Sequence, residues 1–190
     1  TRAHENPGQL WEQLRESFAM DGCHADPSIM HWARRYTRNR RGFENRLRTA
    51  LPKIAYIQQT AAKYGIPGEF ALLPWVESRY RAVPGKGSGS TGTWQITSRT
   101  ATAMGLRMDE HYDARLDLQV SSNAVMQLLQ QYHQRFGDWR MVNYAYNAGE
   151  FATARFTSRQ SAQAIQAAIP TWPGHAVTQR HLSQLLAIAC

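Results

Sequence analysis
The chain has little of what marks several large classes of protein. No stretch of its 190 residues approaches the ~20 consecutive apolar residues that a membrane-spanning helix needs. Two cysteines, Cys23 and Cys190, allow a single pairing and have no metal-ligand spacing. In an oxidising compartment they could join the two ends of the chain. Cys23 follows Ala19-Met20-Asp21-Gly22, a poor setting for a lipid anchor. The seven histidines form no HExxH or i,i+4 pair, so neither a metal nor another cofactor is expected. No segment alternates apolar and polar residues between turn signals, which points away from strands. Acidic residues are also in short supply: 14 against 22 basic ones leave a net charge of +8. Such a surface suits a polyanion. The densest basic run, Arg34 to Arg48, has no zinc-finger, homeodomain or RNA-recognition signature beside it, and a solvated basic helix face is its plainest meaning.

What is present is a series of amphipathic helices. Leu10, Trp11, Leu14 and Phe18 recur at helical spacing. Asp26-Pro27 reads as a cap and first residue of a second helix, running to Tyr36. Phe43, Leu47, Leu51, Ile54 and Ile57 mark a longer one ending near Tyr64-Gly65, with a bend or break expected at Pro52. A helix opened by Ile66-Pro67 carries Glu77. Further helices are expected at 97–104, from Asp117 to Gly137, from Asp138 to Gly149, around 161–169 and over 177–189. The fold class is all-α or nearly so. The length is that of one domain with a sizeable core.

The stretch 71–95, ALLPWVESRYRAVPGKGSGSTGTWQ, holds the chemistry. Glu77 follows Phe70, Ala71, Leu72, Leu73, Trp75 and Val76. A carboxyl among such neighbours is poorly solvated, which disfavours its charged form, and a protonated carboxyl is what a general acid needs. The plainer alternative is a solvated Glu near a helix end. Pro74 predicts a bent or frayed helix just before it. The loop that follows contains Gly85, Gly87, Gly89 and Gly92. It is either a flexible linker or backbone that approaches a ligand closely. It lacks the GxxxxGK order of a phosphate cradle. Trp94-Gln95 then offers an aromatic face beside an amide, which can be core or can hold a sugar ring. A second short stretch, YAYNAGE at 144–150, reads as its partner across a cleft.

Taken in order, LLPWVES, G-T-W-Q and A-Y-N-A-G resemble the catalytic domain of the lytic transglycosylases of the lysozyme-like superfamily (glycoside hydrolase family 23), most similarly the membrane-bound D type. That pattern also has Y-D-A-R-x-D, here Tyr112–Asp117, and D-W, here Asp138–Trp139. Before them stand Trp11–Ala19 and Ile66–Pro74, so the similarity spans nearly the whole chain. It implies a lysozyme-like domain over residues 65–190 with N-terminal helices, 1–64, packed on it. It implies a peptidoglycan-cleaving, monomeric enzyme of the periplasm or cell envelope, with any signal peptide or membrane anchor outside these residues, which begin at Thr1 without Met. It implies no nucleic-acid partner.

The same resemblance implies one catalytic carboxylate, Glu77, which first protonates the glycosidic oxygen between N-acetylmuramic acid and N-acetylglucosamine. Glu77 then takes the proton of the muramoyl C6 hydroxyl as a 1,6-anhydro ring closes. Asp113, Asp117, Asp138 and Glu150 stay open as spatial partners. Gln95, Tyr146 and Asn147 would bind substrate, while Trp94 and Ser78 would be structural. The sequence departs from the pattern at two places. Lys86 stands where a serine is usual, and either pairs with a muramoyl or peptide carboxylate or is a solvated loop lysine. Val177 and His181 replace the Glu and Tyr of an E-T-x-x-Y run. These losses leave three alternatives open: a hydrolase on the same scaffold, a wall-binding module without chemistry and, resting on charge alone, a nucleic-acid binder.

Overall fold
The computed structural model describes residues 7–20, 22–85 and 89–190. Lys86 falls outside them. Ten α-helices lie within the described residues: α1 Pro7–Glu16, α2 Pro27–Thr37, α3 Arg40–Lys63, α4 Leu73–Ser78, α5 Ser98–Ala103, α6 Leu118–Phe136, α7 Trp139–Ala148, α8 Glu150–Thr157, α9 Ala162–Ile165 and α10 Ala176–Ala189. A 3₁₀ turn, Gly68–Leu72, precedes α4. The all-α expectation holds: among the described residues the only β pairings are the isolated bridges Thr91–Ile96 and Met108–Asp113.

The helix ends follow from capping chemistry. Asp26, Asp117 and Asp138 each accept backbone N–H groups of the helix they open, satisfying donors with no intrahelical partner. Gly137 closes α6 with φ +67°. Pro52 does not break α3, which runs unbroken past it. Pro52 is exposed, so the carbonyl deprived of its partner can turn to water. Nor does one helix lead from Ile66 to Glu77. The 3₁₀ turn comes first, and Pro74 sits in the first turn of α4, where its missing N–H costs nothing. α8 was not expected from the sequence; it starts directly after Gly149, whose φ of +93° turns the chain sharply enough to begin again.

α10 is the central helix. It packs against α2, α4, α7 and the 3₁₀ turn, and Thr178, His181, Leu182, Ser183, Leu185, Leu186, Ala187 and Ile188 are all buried. A helix covered on most sides must find partners for every polar group it carries. Around it lies one core, from Leu10 and Leu14 of α1 through Phe70, Leu73 and Trp75 to Val125, Leu129 and Met141. Tyr36, Phe43 and Trp75 form an aromatic knot over which the Arg79 guanidinium lies, 4.7 Å from the Trp75 ring centre. Cys23 and Cys190 are joined as a disulfide, tying the turn before α2 to the end of α10. Arg34, Arg35, Arg38, Arg40, Arg41, Arg46 and Arg48 are all exposed, as a solvated basic face requires.

Glu69, in the 3₁₀ turn, is buried at 1% exposure. Its Oε1 accepts from the N–H groups of Ala19 and Met20 at 2.8 and 2.7 Å, which fastens the turn after α1 to the site-bearing segment. Its Oε2 has no partner. Burial raises this carboxyl above the ordinary range, against the lowering effect of its backbone donors. The folded protein therefore binds the proton more tightly than the unfolded chain does. Stability from this group is present at low pH and is lost as pH rises from the ordinary carboxylate range through the raised value. Glu69→Gln keeps an acceptor for both N–H groups and removes the titration. Urea unfolding across pH 4 to 8 is expected to show the stability difference between variant and wild type moving in favour of the variant as pH rises.

Candidate active site
α4 ends at Ser78, and the next two residues, Arg79 and Tyr80, both have positive φ, 57° and 58°. Non-glycine residues rarely adopt this conformation, and surrounding contacts must hold them there. Arg79 donates to Trp75 O, Tyr80 Oη donates to Ala71 O at 2.8 Å, and Tyr80 O accepts from Lys53 Nζ at 2.6 Å. The one other non-glycine residue with positive φ among those described is Gln95, at 51°. All three flank Glu77 in space or sequence, so the backbone strain is concentrated at the site.

Glu77 is 16% exposed at its side chain, so the solvated alternative fails. It lines a cavity of about 210 Å³ together with Gln95, Thr100, Met104, Tyr146 and Asn147. The cavity opens into a wider groove past Leu128, Tyr132 and Gly149, where Phe151 stands 71% exposed. Residues from the two motifs thus face one space. Tyr146 donates its hydroxyl to Trp94 O at 2.6 Å, joining α7 to the loop opposite. Its phenol is held well above the ordinary tyrosine range by burial first, then by the Glu77 carboxylate and Tyr132, so it stays a donor. Gln95 Nε2 donates to Gly92 O at 2.8 Å, which fixes the amide at the cavity wall. Asn147 is exposed, and its Oδ1 accepts from Thr178 of α10 at 2.9 Å.

Two residues expected to be structural are so. Trp94 is fully buried and donates Nε1–H to Ser122 at 3.0 Å. Ser78 donates to Thr93 O at 2.7 Å, tying the end of α4 to the same loop. Arg115, from the Y-D-A-R-x-D run, is a buried staple. Its Nη1 donates to Gly89 O, Ile96 O and Ser98 Oγ at 3.2, 3.2 and 3.0 Å. Its Nη2 pairs with Asp113 at 2.7 Å, and these bonds hold the Asp113 carboxyl below its ordinary range. The other carboxylates left open by the sequence are engaged away from the cavity or at its margin. Asp117 caps α6, Asp138 caps α7 and pairs with Arg140, and Glu150 pairs with Arg135.

Two residues at the site were not singled out for it. His181 Nε2 lies 2.7 Å from Glu77 Oε1, and its Nδ1 lies 3.1 Å from Asn143 Oδ1. Both side chains are buried. The signal for His181 was its departure from the E-T-x-x-Y run, which reads as a loss of substrate-handling groups. Nothing marked Asn143, one turn before Tyr146. Lys86 lies outside the described residues.

The transglycosylase SLT domain model matches residues 55–169, a span that takes in Glu77, the loop, Trp94-Gln95 and Tyr144–Glu150. The chain is 28% identical over 183 residues to membrane-bound lytic murein transglycosylase D of Escherichia coli K12, covering 96% of this chain and 40% of that protein. It is 33% identical over 110 residues to a protein named for tributyltin chloride resistance in Alteromonas sp. (strain M-1), covering 57% of this chain and 53% of that one. It therefore spans about half or less of the length of these relatives. No helix among the described residues is long and apolar enough to cross a membrane. With its helical fold and its Glu77 cavity matched in this way, the chain belongs to the transglycosylase SLT domain family.

Proposed function
We propose that this chain is a peptidoglycan lytic transglycosylase of the cell envelope, acting as a monomer on the bond between N-acetylmuramic acid and N-acetylglucosamine. The observation that carries the reading is that Glu77 is the only carboxylate among the described residues lining the enclosed cavity. A two-carboxylate glycosidase needs a second acid within reach, either as nucleophile or to activate water. A single carboxylate suffices where the substrate supplies its own nucleophile. Glu77 protonates the glycosidic oxygen as the C1–O4 bond breaks. The resulting carboxylate then takes the C6 hydroxyl proton as C6–O–C1 closes, and the site returns to its starting state.

Tyr146 and Asn147, on α7, and Gln95, on the facing loop, are the proposed substrate-binding residues. Their amides suit the acetamido and hydroxyl groups of the two sugars. Lys86 is proposed to meet a lactyl or peptide carboxylate. The basic surface suits a wall polymer rich in carboxylates. Digestion of purified sacculi, with the products weighed by mass spectrometry, tests the reading. Muropeptides one water lighter than their reducing counterparts are expected. Reducing ends would make the chain a hydrolase, and intact sacculi that still bind it would make it a wall-binding module.

A further inference from the structure
α10 threads the core, so an imidazole on its buried side must be satisfied by protein groups. His181 is 6% exposed, and the groups that meet its ring are Asn143 of α7 and Glu77 of α4. The other elements packed on α10 send their polar groups elsewhere. Ser28 of α2 meets Ser183, Asp26 caps α2, and Glu69 of the 3₁₀ turn faces Ala19 and Met20. On α7, Tyr144 donates to Pro170 O and Tyr146 to Trp94 O, while Asn147 accepts from Thr178. Glu77 is thus the charged group that touches the ring.

Nδ1 faces a carbonyl oxygen and so carries a proton. That leaves Nε2 with a lone pair in the neutral ring, 2.7 Å from a carboxylate oxygen. Two lone pairs do not meet at this distance without a proton between them. We propose that His181 is a positioning residue that shares one proton with Glu77, so that the unit loaded for catalysis is the pair. This rests on the function proposed above. The bond to Oε1 fixes the plane of the carboxyl, and Asn143 fixes the plane of the ring. The pair gives its proton through Glu77 to the glycosidic oxygen and recovers one from the C6 hydroxyl, so protons balance over the cycle.

A proton shared by two basic atoms leaves at higher pH than one held by a carboxyl alone. The alkaline limb of the kcat/KM profile is therefore expected to lie about one pH unit lower in His181→Gln and His181→Tyr than in wild type. Loss of the positioning bond lowers kcat in His181→Phe about tenfold at acid pH. His181→Tyr, whose hydroxyl can donate to the carboxyl, recovers most of that loss but not the limb. Superposed limbs in wild type and both polar variants overturn the proposal. Nitrogen NMR of the histidine ring gives a readout independent of activity. Nε2 of His181 is expected to carry the signature of a proton-bound nitrogen in wild type and to move toward a bare acceptor in Glu77→Gln. An unchanged signal overturns the pairing even if turnover is normal. A wild-type protein that makes no anhydro product, but shows the NMR change, contradicts the proposed function and leaves the pairing standing.

Discussion

Glu77→Gln is expected to lower turnover of peptidoglycan by about 10³-fold or more while leaving the protein folded and bound to its substrate. The physical basis is narrow. Gln has nearly the shape of Glu and presents an oxygen or an amide to His181 Nε2 where the carboxylate stood at 2.7 Å. It has no proton to give at ordinary pH. The carboxyl lies at the end of a six-residue helix whose first turn is fastened by Pro74 and whose last residue bonds across to Thr93, so the substitution should not move the backbone. Initial rates on sacculi, taken beside the thermal midpoint and a pelleting assay, check this. A variant with a few per cent of wild-type turnover would mean that another group supplies the proton.

The second large effect belongs to Gly92. A Cβ there would sit 1.8 Å from the carbonyl oxygen of Arg115, a backbone atom that cannot step aside, and the residue has φ +81°. Gly92 also receives the Gln95 amide on its carbonyl and donates to Val83 O at 2.7 Å. Gly92→Ala must therefore push the Thr91–Ile96 loop away from the Arg115 segment. That breaks the bonds of the Arg115 guanidinium to Gly89 and Ile96 and shifts Trp94, the acceptor for Tyr146. A loss of about 3 kcal/mol or more is expected, a fall of roughly 6–12 °C in Tm for a chain of this size. Activity is expected to fall further than stability explains, because Gln95 moves with the loop. Differential scanning calorimetry with rates taken well below the new midpoint separates the two.

The parts of the site that were readable in the sequence are those set by local chemistry. Glu77, Trp94-Gln95 and Tyr146-Asn147 lie in short runs whose composition carries their meaning, and the structure brings them to one cavity. The parts that were not readable depend on long-range packing. His181 reaches Glu77 across 104 residues of chain, and only the central position of α10 turns a substituted tyrosine into a partner of the acid. Arg115 and Asp113 read as a connector, because a guanidinium that collects three acceptors from distant loops leaves no periodic trace. The helix boundaries diverged for similar reasons. Pro52 reads as a break when its exposure is unknown, and the 3₁₀ turn before α4 is favoured by contacts of Gly68 and Glu69 with the end of α1.

The central claim is that the nucleophile is the sugar's own C6 hydroxyl, with Glu77 serving both proton transfers. Digestion in water enriched in oxygen-18 tests it most directly. If the claim holds, the major muropeptides end in an anhydro ring and carry no label at C1, in every product made by wild type and in none above background made by Glu77→Gln. Products that gain one labelled oxygen at C1 would show water attacking in its place, and the single-carboxylate mechanism would be contradicted.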